Sequence, residues 1–135
     1  MTARNIAKPQ QKVRKPKKPP RQNLSAQCDA LFSKLVRRPA RCYLCGSTDR
    51  LQCAHGFSRR YRAIRWDFRN AWCLCARCHK YYTEHPIEWD DWLRETWDDQ
   101  YDLMRGLALE PAVSADSRPA LKSLLADLRA LEATT

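Results

Sequence analysis

Glycine, long apolar runs and, in the first part of the chain, acidic residues are all scarce in this sequence of 135 residues. Three glycines and 30% charged residues leave little sequence for a large hydrophobic core, so we expect stability from another source as well. The sequence shows no apolar leader and no long uncharged run, which argues against secretion and against membrane insertion. The composition therefore predicts one small domain with tails, located in the cytoplasm and without a membrane partner.

Positive charge is concentrated in the first 80 residues. They carry 20 Lys and Arg against 3 acids, whereas residues 81–135 carry 5 against 12. Cations at this density can neutralise several phosphates, which is the electrostatic footprint of a nucleic-acid-binding protein. A basic protein that is merely soluble is the weaker alternative, because the charge is segregated rather than dispersed.

The first 22 residues have their own composition, with eight cations, four prolines and no acid. Such a segment cannot bury enough apolar surface to order itself, so it predicts a disordered basic arm that grips phosphates without reading sequence. A solubilising tail is the alternative. We place this arm at residues 1–22, a central domain at residues 23–110, and a hinge with a C-terminal helix at residues 111–135.

Hydrophobic spacing and turn signals predict four helices and two strands. They are a helix at 24–36, strands at 51–54 and 71–74, and helices at about 75–83, from Pro86 onward, and at about 118–132. The helix after Pro86 carries tryptophans at core spacing, and the eight acids between Glu84 and Asp102 are interpreted as a solvated face turned away from DNA. The last helix has a leucine stripe that packs on the domain or pairs with another chain.

Four of the seven cysteines form two CxxC pairs. Cys42 and Cys45 make the first pair, Cys75 and Cys78 make the second, and 29 residues separate the two pairs. In a chain without signs of secretion this pattern favours metal over disulfides, and four thiolates complete a tetrahedral structural Zn²⁺ site. Four free buried cysteines are the alternative. Cys73 could in principle replace Cys75 as a zinc ligand, but it lacks the tight spacing to Cys78. We therefore expect Cys73 to be a buried strand residue.

Two histidines predict chemistry beside this zinc site. His79 follows Cys78 directly, and a zinc shell closed by four thiolates leaves it no place, so we expect it to turn to a separate site. His55 ends the first predicted strand, where it suits a general base that removes a proton from water. In this interpretation a divalent ion held by His79 stabilises the phosphoryl charge and the departing 3'-oxygen. A buried core histidine is the alternative for His55.

An arginine-rich loop, SRRYRAIR, follows the proposed base. As bidentate phosphate partners its arginines would position the scissile DNA strand, and an ordinary charged loop is the alternative. The four candidates are Arg59, Arg60, Arg62 and Arg65.

These residues resemble the HNH endonucleases of the ββα-metal fold. The resemblance covers residues 41–84 and rests on AH at residues 54–55, on Asn70 nine positions before His79, and on the closing CxxCH. It implies a small α+β, zinc-stabilised domain whose ββα-metal core is flanked by helices. It also implies that His55 is the base, that Asn70 orients the base or braces the loop, and that His79 binds a catalytic Mg²⁺ or Mn²⁺. The family commonly has an aspartate where this chain has Ala54.

The flanking segments resemble the phage NinG (Rap) recombination nucleases, through the helix before CYLCG, the arginine-containing loop and YDLMRGL. This resemblance implies a phage-encoded DNA endonuclease that acts on branched recombination intermediates in the host cytoplasm. Two other functions stay open. One is a noncatalytic zinc-dependent DNA-binding module, which is favoured by Ala54 in the place of the usual aspartate. The other is an HNH accessory factor of a phage packaging motor. The last helix would then join a homodimer or bind a phage protein.

Overall fold

A computed structural model describes residues 23–111 and 117–134 of the chain. The predicted basic arm at residues 1–22 and residues 112–116 of the predicted hinge lie outside these ranges. The described parts form a small α+β architecture with one two-stranded antiparallel sheet and five α-helices. The elements are α1 Leu24–Val36, β1 Leu51–His55, β2 Ala71–Cys75, α2 Ala76–Glu84, α3 Pro86–Trp97, α4 Tyr101–Ala108 and α5 Arg118–Ala133.

Each predicted helix and strand is present, but α4 was not predicted. Its buried residues Tyr101, Met104 and Ala108 follow helical spacing, so a signal existed, although it spans only two turns. A short 3-10 helix, Asp98–Gln100, separates α3 from α4, and its first residue has φ of +48°, a positive value that residues with a side chain rarely adopt. Among the described helices, none combines the length and the apolarity needed to cross a bilayer.

Helices α1 and α5 pack against each other and share one hydrophobic cluster. Cys28, Phe32 and Leu35 of α1 are buried, as are Leu125 and Leu128 of α5. The leucine stripe of the last helix is therefore largely covered by the chain itself, which is one of the two arrangements that the stripe predicted.

Side chains close both ends of this helix pair. Asn23 caps α1 by accepting from the amide of Ala26 at 3.1 Å, and Ser117 caps α5 by accepting from Ala120 at 3.3 Å. At the other end of α5, the Arg38 guanidinium donates to three carbonyls at the C-terminal end, where few backbone donors remain. These carbonyls belong to Leu131, Glu132 and Thr134.

The two strands pair so that Cys53 lies opposite Cys73 and His55 opposite Ala71. The loop between them, residues 56–70, contains two short 3-10 helices, Arg62–Ile64 and Phe68–Asn70. Tryptophans of α3 hold both ends of this loop, because Trp89 donates its indole N–H to Gly56 at 2.8 Å and Trp97 donates to Arg69 at 3.1 Å. The tryptophan face of α3 thus packs in the core, as its spacing predicted.

Candidate metal centre and the adjoining histidine cleft

The four predicted zinc ligands come together in space. The Sγ atoms of Cys42, Cys45, Cys75 and Cys78 all lie within 4.8 Å of one another, and those of Cys45 and Cys75 are 3.6 Å apart. Four sulfurs at a zinc–sulfur distance of about 2.3 Å in a tetrahedron would be separated by roughly 3.8 Å. The cluster is therefore compatible with a structural Zn²⁺.

Local backbone geometry brings the two cysteine pairs to this point. Gly46 closes the first turn by donating its amide to Cys42 at 2.9 Å, with φ of +75°, a conformation that favours glycine. The amide of Tyr43 donates to the carbonyl of Cys73 at 2.8 Å and so ties the turn to β2. Cys75 ends β2 and caps α2, since its Sγ accepts from the amide of Cys78 at 3.5 Å.

Burial and hydrogen bonding shift the pKa values of the thiols in different directions, even within the cluster, where they raise the pKa of Cys78 to about 12. Although burial raises the pKa of Cys42, hydrogen bonds from its backbone neighbours outweigh this effect and lower it to about 6. Burial raises the pKa of Cys53 to about 11 and also raises that of Cys73. Cys73 is buried and lies outside the cluster, as predicted, so it and Cys53 remain protonated thiols near neutral pH.

His79 lies next to the cysteine cluster but lines a different feature, a cleft of about 470 Å³. His55 lines the same cleft, so the end of β1 and the first turns of α2 meet there. The Nδ1 atom of His79 is 2.7 Å from Oε1 of Gln52, an amide oxygen that only accepts hydrogen bonds. Nδ1 of His79 is therefore the protonated nitrogen, and Nε2 carries the lone pair.

His55 is half-buried at the same cleft, with its ring stacked on Phe32 at 5.8 Å between centroids. Its Nε2 lies 2.9 Å from the carbonyl oxygen of Arg65, which also only accepts. Nε2 of His55 is thus the protonated nitrogen and Nδ1 carries the lone pair. Burial lowers the pKa of both His55 and His79, so both rings are neutral near pH 7.

Asn70 is fully buried and braces the loop between the strands. Its Oδ1 accepts from the amide of Phe57 at 2.8 Å, while Nδ2 donates to the carbonyls of Phe57 at 3.0 Å and Ile64 at 3.3 Å. A Cβ added to Gly56 would approach Asn70 Oδ1 to 2.8 Å, so only glycine fits beside this brace. These contacts favour loop bracing among the two roles predicted for Asn70.

The four predicted DNA-binding arginines are in two different situations. Arg59, Arg60 and Arg62 are exposed, and Arg59 lines the cleft. The side chain of Arg65 is only 16% exposed and forms a two-point ion pair with Asp29, with Nε donating to Oδ1 at 2.9 Å. The geometry favours a loop-holding role for Arg65 over the predicted contact with DNA.

Sequence reasoning did not find two of the residues that shape the cleft. Gln52 orients His79, and Asp29 on α1 contacts the arginine loop, although α1 lies outside residues 41–84. The pairing of Gln52 with His79 depends on how α2 folds back along β1, and the pairing of Asp29 with Arg65 depends on where α1 packs. Neither contact has a local spacing signal.

No protein-family model, curated protein or solved structure matches this chain. The resemblances to the HNH and NinG nucleases therefore remain expectations. Across residues 23–111 and 117–134, the four cysteines are the one group of three or more His, Cys, Asp or Glu side chains placed closely enough to hold a metal ion.

Proposed function

We propose that this protein is a metal-dependent DNA endonuclease of the HNH type, which hydrolyses phosphodiester bonds. One observation carries the proposal: His55 from β1 and His79 from α2 line one cleft, each with one ring nitrogen fixed by an oxygen acceptor. This arrangement gives the two rings defined tautomers and leaves a lone pair on Nδ1 of His55 and on Nε2 of His79. One lone pair suits a base and the other suits a metal ligand.

His55 would act as the general base. Its Nδ1 would accept a proton from water while the water oxygen bonds to phosphorus and the bond from phosphorus to the 3'-oxygen breaks. The departing oxygen would take a proton from solvent, so the products would carry 5'-phosphate and 3'-hydroxyl ends. The lowered pKa of His55, caused mainly by burial, keeps the ring ready to accept a proton at neutral pH.

His79 would hold the catalytic ion through Nε2, with Gln52 fixing the ring from the other side. Bound Mg²⁺ or Mn²⁺ would stabilise the negative charge on the phosphoryl group and on the departing oxygen. Ala54, which stands where the family commonly has a carboxylate, is 1% exposed and supplies no ligand. Water and substrate phosphate oxygens would complete the coordination, which Mg²⁺ favours because it retains much of its hydration.

The cleft is bordered by positive charge suited to a DNA backbone. Burial raises the pKa of Cys53, which lines the cleft, and the charges of Arg37 and Arg59 act in the opposite direction. Of these two arginines, Arg59 lines the cleft itself and is exposed. Arg60 and Arg62 extend the exposed cationic loop, so phosphate contacts would position the scissile strand.

The test is a nicking assay on supercoiled plasmid with Mg²⁺ or Mn²⁺, comparing the unmodified protein with His55→Ala. We expect the substitution to slow cleavage by about 10²- to 10⁴-fold, the usual contribution of a general base. His85→Ala is the matched control, since His85 stacks on Tyr81 and does not line the cleft. If the unmodified protein and His55→Ala are equally inactive with every metal, the proposed endonuclease activity is wrong.

Substrate preference needs a separate comparison of linear, flapped and four-way DNA of matched sequence. Faster cleavage of the four-way substrate would support a role in recombination, as the NinG resemblance implies. Equal rates on all three substrates would count against that role while leaving the endonuclease proposal intact.

A noncatalytic zinc-dependent DNA-binding module is the second candidate, and the buried Ala54 beside the proposed base favours it. This candidate predicts DNA binding that is lost when zinc is removed, together with the absence of cleavage in any metal. Cleavage that depends on His55 would exclude it.

A further inference from the structure

Asp29 is the acidic side chain that lines the histidine cleft, and it comes from α1, outside residues 41–84. Its side chain is 22% exposed and accepts from three groups of the loop between the strands. Arg65 donates from Nε at 2.9 Å and also from Nη2, and Trp66 donates its indole N–H at 2.9 Å. Arg59 adds a longer ion pair at 3.8 Å. Asp29 is thus the point at which α1 grips this loop.

The middle of the loop, residues 58–67, needs such a hold because its own backbone hydrogen bonds are short-range. Backbone bonds such as Ile64 to Tyr61 at 3.2 Å and Asp67 to Ile64 at 3.1 Å span three residues each and only close single turns. Asn70 anchors the loop from within the fold, at the carbonyl of Ile64. Asp29 anchors the next residue pair, Arg65 and Trp66, from the side of α1.

The gripped segment is the one that orients the proposed base. The carbonyl oxygen of Arg65 accepts from Nε2 of His55 at 2.9 Å, while the side chain of the same residue is held by Asp29. A displacement of Arg65 would move this acceptor away from Nε2, and the ring would lose the contact that fixes its tautomer. The chain of contacts therefore runs from Asp29 through Arg65 to His55.

We propose that Asp29 is a positioning residue for His55, which holds the Arg65 carbonyl in place and so keeps the proton on Nε2 and the lone pair on Nδ1. The inference about tautomer concerns the folded protein itself, whereas its kinetic consequence rests on the proposed endonuclease function. The role extends the functional unit beyond the region that resembles HNH enzymes, because α1 would supply an essential support to the site.

The first test reads the tautomer directly, by the ¹⁵N chemical shifts of the His55 ring in the zinc-loaded full-length protein near pH 7.5. We expect the Nε2–H form to predominate in the unmodified protein and its share to fall at least about twofold in Asp29→Asn, because an amide cannot accept both guanidinium contacts as a carboxylate does. Arg65→Lys keeps the backbone carbonyl but loses the two-point contact, so it should change the spectrum in the same direction.

Glu132→Gln is the matched control, since it also neutralises an acid that forms an ion pair, here with Lys34 at 3.1 Å, but Glu132 does not line the cleft. It should leave the His55 spectrum unchanged. Zinc content and far-ultraviolet circular dichroism establish that each variant is folded. If Asp29→Asn does not fold, Arg65→Lys decides the question alone.

The second test measures plasmid cleavage. We expect Asp29→Asn to lower kcat about 10- to 100-fold with a KM within about threefold of the unmodified value, since misplacing a reacting group slows the chemical step. Asp29→Glu should recover part of the loss. An unchanged His55 tautomer in both Asp29→Asn and Arg65→Lys would overturn the inference, whether or not the protein cleaves DNA. A correct tautomer shift without any cleavage by the unmodified protein would instead reject the endonuclease function alone.

Discussion

The cysteine cluster and the histidine cleft meet at the first turn of α2, yet they are assembled in different ways. The cluster draws on two tight turns, each of which brings two thiols together through its own backbone. The cleft gathers side chains from α1, β1, the loop and α2, and its two rings are oriented by Arg65 and Gln52. Local spacing therefore defines the cluster, whereas tertiary packing defines the cleft.

The largest effect is expected from a substitution that removes a ligand of the cysteine cluster. Cys75→Ala should abolish zinc binding and unfold the domain, because structural zinc contributes about 10–16 kcal/mol of binding energy that is also folding energy. Cys73→Ala is the matched control, two residues earlier and buried but outside the cluster, and it should keep the zinc and cost about 1 kcal/mol. Circular dichroism and zinc content measure both. A folded, metal-loaded Cys75→Ala protein would contradict the assignment.

The next effect separates the two regions cleanly. His79→Ala should keep the zinc and the fold, since His79 is not among the clustered ligands, while plasmid cleavage falls by about 100-fold or more, comparable with loss of a catalytic group. Activity and zinc content are measured on the same sample, with His85→Ala as the unaffected reference. Loss of zinc from His79→Ala would show that the cluster and the cleft are one site.

Substitutions at two glycines, one at the start of the cleft loop and one in α4, should change the stability of the protein in opposite directions. Gly56→Ala should lower the free energy of unfolding by about 1–3 kcal/mol, because its Cβ would approach Asn70 to 2.8 Å and the Trp72 and Trp97 rings to 2.9 Å. Gly106→Ala meets nothing within 4 Å inside α4 and should instead stabilise the protein by about 0.5–1 kcal/mol. Urea unfolding measures both variants. Equal stability of the two would show that the loop tolerates displacement at its first residue.

The smallest effect concerns pH. Burial lowers the pKa of His55 below its ordinary value of 6.5, so the neutral base persists to lower pH than a free histidine would allow. Cleavage should be constant from about pH 7 upward and should fall with a midpoint below 6.5 as the pH decreases. The same lowered pKa destabilises the fold below pH 6.5, because the unfolded chain then binds a proton that the folded His55 resists. A cleavage midpoint above 6.5 would contradict the buried, neutral base.

Most of the cysteine cluster could be predicted from the sequence, but only part of the histidine cleft could. The two CxxC pairs, the helix start after β2 and the exclusion of His79 all follow from spacing and from the closed shell of a four-thiolate site. His55 was predicted from its place at a strand end and His79 from its place beside the closed zinc shell, the HNH resemblance implied the same roles, and both residues line one cleft.

The remainder depended on contacts between distant segments. Arg65 looks like a phosphate ligand within its basic loop, but burial against Asp29, 36 residues away, changes its role. Gln52 and His79 are separated by 27 residues, and no periodicity links them. Side-chain contacts between distant elements depend on how those elements pack against each other. A single sequence has no local pattern that predicts such contacts.

The packing of α5 against α1, which Arg38 closes at the last carbonyls of α5, has a consequence for folding during synthesis. A ribosome makes α1 before any other described element and α5 after all of them, yet each covers the apolar face of the other. Phe32, on which the His55 ring stacks, therefore lacks its final packing partner while the nascent chain is still growing. The part of the cleft wall that α1 forms therefore reaches its final packing only after α5 has been synthesised.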